Sequence, residues 1–420
     1  MERASSEALT YCHLFYFYKK GFWQQIKLEQ REMRMIESKG VLEKEEDFDS
    51  PVHGDLLDFI LARVPLIDLA SASRVSKSWE HAVSSSLSHF NKLKPWLLIH
   101  TQCSRSLTQK TAHAYDPRSH TWIQIVITPP SSSTANKRLS TLRSSNSNLL
   151  YDFSSTGLSF SEDPLHLIWP RVAPPQAWRV DPIVALVGSH IVVAGGGALG
   201  FEDDPLSVEV YDMKTSHWST CQSMPDILKH SAASTWLSVA ANRSKMYVTE
   251  KASGITYSFS PENKTWSGPY DLRPDPTAFF TAVGFAGDDL ILAGVMGRAQ
   301  NVKTLRLWKI KPETMEFDQI GEIPCELLEK LKGETSELSS ISLLTAKNFA
   351  YMYNNSDPEE IIMCEIGDGE CKWGSVKNLV VNDERRIGER MVMSCGMVEI
   401  GHLHRAMGPA NRKFLVKSDA

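Results

Sequence analysis

One phrase returns along the chain and limits its fold more than any other feature. "YDPRSHTW" places Tyr115 seven residues before Trp122, and "YDMKTSHW" places Tyr211 seven before Trp218. "FSPENKTW" (Phe259, Trp266), "IKPETMEF" (Ile310, Phe317) and "IGDGECKW" (Ile366, Trp373) repeat the spacing. "FSEDPLHL" (Phe160 to Leu167), with Trp169 just beyond, is a weaker copy. Each copy reads as a hairpin: an apolar residue ends one strand, a polar turn reverses the chain, and an aromatic residue opens the next strand. The closing aromatics fall at 122, 167–169, 218, 266, 317 and 373. That interval of about 50 residues suits a four-stranded propeller blade. A single blade cannot bury both of its faces, so the copies must stack, and six copies predict six blades.

Strand accounting supports a closed ring. The third copy is complete, with "PIVALVG", "HIVVAGG", "SVEVYDM" and "HWSTCQS" between Pro182 and Ser223. The first copy supplies only "PWLLIHT", "TAHAY" and "TWIQIV". The C-terminal "RMVMSCGMVEI" (Arg390 to Ile400) is the spare strand expected to complete it. Such closure removes the open edge that would invite aggregation. Ser131–Asn148 reads as a Ser/Asn/Thr-rich loop and "CELLEKLKG" (Cys325 to Gly333) as one helical excursion. Trp122, Trp169, Trp218, Trp266 and Trp373 are expected to pack the blades together.

Residues 51–95 follow a different period. Leu56, Leu57, Ile60, Leu61 and Val64 recur at helical spacing behind Gly54-Asp55. Pro65 ends that helix, and Asp68 is a fresh N-cap candidate. Leu69, Ala72, Val75, Trp79 and Ala82-Val83 continue the stripe. A piece near the limit of roughly 40 residues cannot bury all of this in itself. The surplus face must meet either the next domain or another protein. Residues 1–50, ending in the charged linker "GVLEKEEDFDS", read as a poorly ordered extension, and 406–420 as a tail.

Several function classes are disfavoured. A net charge of −5 argues against a surface built to neutralise phosphates. Seven scattered cysteines form no Cys-x-x-Cys pair, which disfavours a zinc site or disulfide framework. The best apolar run, Tyr11 to Tyr18, is far short of the ~20 residues a span needs. "GGGALG" (Gly195 to Gly200) matches a dinucleotide fingerprint in letters, but an acidic, proline-containing strand follows where a helix is required. Those glycines are expected to end a strand tightly near the ring's centre. The His402/His404 pair stands beyond the closing strand, and no catalytic signature is present. No cofactor, metal or catalytic residue is expected.

Residues 51–95 resemble the F-box, carried by Asp55-Leu56-Leu57, Ile60-Leu61, Pro65-Leu66, Leu69 and "VSKSW" (Val75 to Trp79). Ser76 departs from the family's Val-Cys-Lys-x-Trp, and "SPVHG" replaces its usual Leu-Pro opening. Residues 96–405 resemble a degenerate kelch propeller, carried by "VVAGGG" (Val192 to Gly197) followed by Tyr211-Asp212 and Trp218. Together they resemble the plant F-box/kelch-repeat proteins. The implied fold is mainly β: a six-bladed kelch-type β-propeller closed by a C-terminal strand and preceded by a small three-helix F-box. The implied function is non-catalytic: the substrate-recognition subunit of a Skp–cullin–F-box ubiquitin ligase, cytoplasmic and/or nuclear. Leu56, Leu57, Ile60, Leu61, Pro65, Leu66 and Trp79 would bind the Skp-type adaptor, and through it the cullin and RING subunits. Loops between the second and third strands of each blade would bind an unidentified target protein, not nucleic acid or membrane. These are Gln102–Lys110, Ala198–Leu206, Lys251–Gly254, Gly297–Lys303 and Asn354–Glu360. Phe201, Glu202, Asp203, Asp204 and Arg298 are their candidate contacts. The alternative is a propeller scaffold acting outside a ligase.

Overall fold

In four copies of the repeated phrase, the apolar and aromatic residues are direct cross-strand partners: Tyr115 and Trp122, Tyr211 and Trp218, Phe259 and Trp266, Ile310 and Phe317. The residue five past the first of each pair takes positive φ: 53° at His120, 59° at Ser216, 57° at Lys264 and 57° at Met315. That left-handed residue closes a four-residue turn at the twist the flanking strands require. Aspartate caps two of the turns. The Asp116 carboxylate accepts from the Arg118 amide and Ser119 hydroxyl, and Asp212 from the Lys214 amide and Thr215 hydroxyl. The rings of Tyr115 and Trp122 lie 5.2 Å apart, a pairing worth about 1 kcal/mol beyond burial.

The other two copies depart from the pattern. Trp373 faces Cys364, while Ile366 faces Cys371, so the expected Ile366–Trp373 pair is out of register. The weak copy turns through a longer connection, in which Phe160 bonds back to Pro170. Trp169 is 36% exposed there, with its indole N–H donated to the His166 carbonyl.

The computed structural model describes residues 55–89, 91–103, 110–127, 141–146, 148–154, 156–177, 179–196, 204–334, 337–367, 370–381 and 389–417. They divide into two compact units, one holding residues 55–64 and 68–91 and the other holding Pro65–Ile67 and the chain from Lys92 onward. The larger unit is a six-bladed propeller. Its innermost strands, in blade order, are Glu389–Gly396, Leu142–Asn146, Ile183–Val187, Leu237–Ala241, Ala278–Ala286 and Ile341–Ala346. Each neighbours the next and the last returns to the first, closing the ring. Apolar clusters fill the blade interfaces. One joins Tyr115 and Trp122 of blade 1 to Tyr351 and Met363 of blade 6, and another joins Tyr211 to Leu149 and Tyr151 of blade 2.

Blade 1 is closed from the C-terminal end, as its missing strand requires. Glu389–Gly396 pairs antiparallel with Trp96–Cys103 as the innermost strand. The segment read as a tail contributes a strand too. Arg412–Lys417 pairs with Thr121–Ile127, making this blade five-stranded. Six residues with Leu415 and Val416 both largely exposed carry too faint an alternation to be recognised from sequence. The segment read as the loop Ser131–Asn148 is corrected in the same way, since it contains the inner strand Leu142–Asn146. Helix Cys325–Lys332 lies where expected.

The smaller unit contains α1 (Asp55–Leu61), α2 (Leu66–Ala72) from Asp68 onward and α3 (Lys77–His89). Pro65 separates α1 from α2, and Asp68 falls in the first turn of α2 rather than before it. Ser76, where the resemblance expects cysteine, accepts from the Trp79 amide at 3.3 Å and caps α3. The Ser85 hydroxyl donates to Asp58 at 2.6 Å, and the Asn91 side-chain amide to the Ala62 carbonyl at 2.8 Å. These bonds hold α1 against the C-terminal end of the unit.

Candidate binding surfaces

The helical stripe sorts itself by burial. Leu61 and Leu66 are buried, at 2% and 1% exposed. Leu57, Ile60, Pro65 and Trp79 are half-buried, and the Leu56 side chain lies outside the described residues. Phe59, which the periodicity did not single out, is 46% exposed with the Arg63 guanidinium 4.2 Å from its ring centre. Among the described side chains of α1 the exposed apolar one is therefore Phe59, with the half-buried Ile60 beside it.

On the propeller, antiparallel order puts the tight hairpins at one end. The connections between second and third strands share the other end with the crossovers between blades. Of the expected target contacts, Phe201, Glu202 and Asp203 lie outside the described residues. Asp204 accepts from the Leu206 amide and the Ser223 hydroxyl, so it staples its own loop. Arg298 is exposed at the tip of blade 5, and no ion pair joins the two. The double glycine ends its strand tightly as expected. Gly195 and Gly196 have φ of 67° and 79°, and a Cβ on Gly196 would stand 2.5 Å from the Pro182 nitrogen.

That close approach presses the entry to blade 3 into place. Arg179, directly upstream, donates to the Gly195 and Ser207 carbonyls at 2.8 and 2.7 Å and pairs with Glu209 at 3.0 Å. Two residues on, Asp181 reaches the mouth of the ring axis. Its carboxylate pairs with Arg143 and accepts from the Ser234 hydroxyl at 2.7 Å and the Thr235 hydroxyl at 2.9 Å. The Lys251 ammonium donates to the Thr235 carbonyl at 2.9 Å. Arg390, the second residue of the closing strand, joins the same rim, and its guanidinium makes no hydrogen bond or ion pair with a described residue. Burial lowers the Lys251 pKa against the pull of Asp181. Behind this rim lies a cavity of about 180 Å³, lined by the serines 144, 234, 238 and 342 and by Lys251 and Arg390. It has room for roughly six waters. Trp236, next to Thr235, is 62% exposed at the same end.

Sequence reasoning reached Lys251 only as part of a loop and missed Arg143, Asp181, Trp236 and Arg390. Each of those four stands at or just before the start of an inner strand, so correct inner-strand boundaries would have brought them to notice.

A closed six-bladed ring in one chain with an N-terminal helical module defines a β-propeller protein with an appended helical domain. The F-box domain family matches residues 54–91. An F-box/kelch-repeat protein of Arabidopsis thaliana is 40% identical over 371 residues, spanning 85% of this chain and 93% of that protein. The chain belongs to the F-box/kelch-repeat family. Two solved Bacteroides structures assigned as candidate 6-phosphogluconolactonases, from B. uniformis and B. fragilis, were also matched. They are 10% and 11% identical and cover 68% and 67% of this chain and 84% and 82% of their own. Their TM-scores of 0.36 and 0.38 carry no argument about this chain.

Proposed function

We propose that the protein is the non-catalytic substrate-recognition subunit of a Skp–cullin–F-box ubiquitin ligase. The F-box docks the Skp-type adaptor, and the loop-rich end of the propeller holds a protein for ubiquitination. One pairing carries this reading: an F-box with an exposed apolar face on α1, in the same chain as a closed ring whose long connections gather at one end. Loops on a rigid scaffold are where recognition residues concentrate. The same reading puts the protein in the cytoplasm, the nucleus or both. Because Leu61 and Leu66 are buried, the test uses accessible positions. Phe59→Asp combined with Ile60→Asp should abolish capture of a recombinant Skp-type adaptor and leave the propeller's melting temperature unchanged. Undiminished capture would overturn the adaptor role and favour a scaffold acting outside a ligase. The F-box-deleted chain should retain client proteins that the intact ligase turns over.

A further inference from the structure

The axial mouth of the ring brings together residues from four blades. Arg390 is in blade 1, Arg143 in blade 2, Asp181 at the entry to blade 3 and Lys251 in blade 4. Among the described residues three cations share one carboxylate, and that carboxylate is already occupied by Arg143 and two hydroxyls. Lys251 spends one of its three donors on a carbonyl, and Arg390 spends none on a described residue. A chain of net charge −5 thus gathers, among its described residues, an excess of positive charge at an opening whose lining includes four serines. Trp236, 62% exposed, stands at the same end, and tryptophan and arginine are the side chains enriched at interface hot spots.

We propose that this mouth is the docking socket for an acidic peptide segment of the target protein. An aspartate or glutamate side chain would seat between Arg390 and Lys251, and an apolar neighbour would lie on Trp236. Arg143 and Asp181 form the fixed wall. Their pairing, tied to Ser234 and Thr235, holds the crossover that presents Trp236. The carboxylate selects the socket by charge-assisted hydrogen bonds, and the indole supplies contact area that a free inorganic anion cannot use. This inference rests on the client-binding reading above and names the chemistry of that client.

The test is fluorescence-anisotropy titration of the full-length chain, bound to recombinant Skp-type adaptor, with labelled octa-glutamate carrying one central leucine. An octa-glutamine peptide with the same leucine and inorganic phosphate are the comparison arms. The glutamate peptide should bind and weaken several-fold between 50 and 300 mM salt. Arg390→Gln and Lys251→Met should each weaken it about 10-fold or more, and Trp236→Ala about 10-fold. Arg390 and Trp236 are exposed, so those two variants should melt with the wild type and remain interpretable if Lys251→Met does not. Equal binding of the glutamine peptide, displacement by millimolar phosphate, or binding unchanged in Arg390→Gln and Trp236→Ala overturns the proposal. Two results separate it from the receptor role. Clients still captured by the F-box-deleted Arg390→Gln, Trp236→Ala variant would sink the socket and keep the receptor. Peptide binding with the expected losses, in a protein that captures no client, would keep the socket and sink the receptor.

Discussion

Replacing Glu209 with alanine should be among the most damaging single changes in the propeller. Arg179 and Glu209 are 2% and 3% exposed and face each other at 3.0 Å. The glutamate also accepts from the amides of Gln176 at 2.7 Å and Ala177 at 3.2 Å. Alanine would strand a buried guanidinium with only the Gly195 and Ser207 carbonyls as partners, and leave two amides without an acceptor. Removing one member of a buried pair costs about 3–5 kcal/mol, because the remaining charge is uncompensated. At about 2 °C per kcal/mol for a unit of this size, Glu209→Ala should lower the melting temperature by about 8 °C. Replacing both partners, Arg179→Met with Glu209→Leu, should recover most of that loss, since no charge is then left dry. Calorimetric melts of the wild type, the single variant and the double variant decide the matter. A single variant that loses less than about 1 kcal/mol, or a double variant no better than the single, would refute the reasoning. The pair also positions the socket, because Arg179 lies two residues before Asp181. Glu209→Ala should therefore weaken peptide binding even at temperatures where the chain stays folded.

Acid should loosen the ring closure. His166 donates to or accepts from the Ser394 hydroxyl of the closing strand at 2.8 Å. Burial, with a smaller push from His100, holds its pKa well below the ordinary 6.5. The native chain keeps this ring neutral, while the unfolded chain takes up a proton below about pH 6.5. Its contribution to stability is therefore complete above that value and lost as pH falls beneath it. Melts at pH 7.5 and 5.0 should show a drop that His166→Gln flattens, and an unchanged slope in that variant counts against the assignment. Two tryptophans of different exposure should also separate: Trp122→Ala (2% exposed) should cost about 3–5 kcal/mol and Trp169→Ala (36% exposed) clearly less, by urea denaturation.

The repeated phrase made the blades legible because a hairpin is a local object. Tyr115, the turn and Trp122 lie within eight residues, and the αL position at His120 comes from that stretch alone. The same locality explains the failures. In blade 6 the letters of the phrase survive but the register moved, because pairing follows the turn and not the spacing of apolar residues. The inner strand Leu142–Asn146, "LRSSN", carries almost no apolar alternation. It is a strand because blade 2 needs an inner edge, not because its sequence prefers one.

From its sequence this chain could be read as a helical F-box followed by a ring of six blades closed from its C-terminal end, since periodicity and turn chemistry act over a few residues and repeat. Tertiary structure alone decided which charges meet. Residues 143, 181, 251 and 390 are far apart in the chain, and no local rule relates them. They converge because ring closure brings the starts of the inner strands, and the connections beside them, around a single axis. The surplus of cations at that mouth is thus a property of the closed ring and of no segment within it.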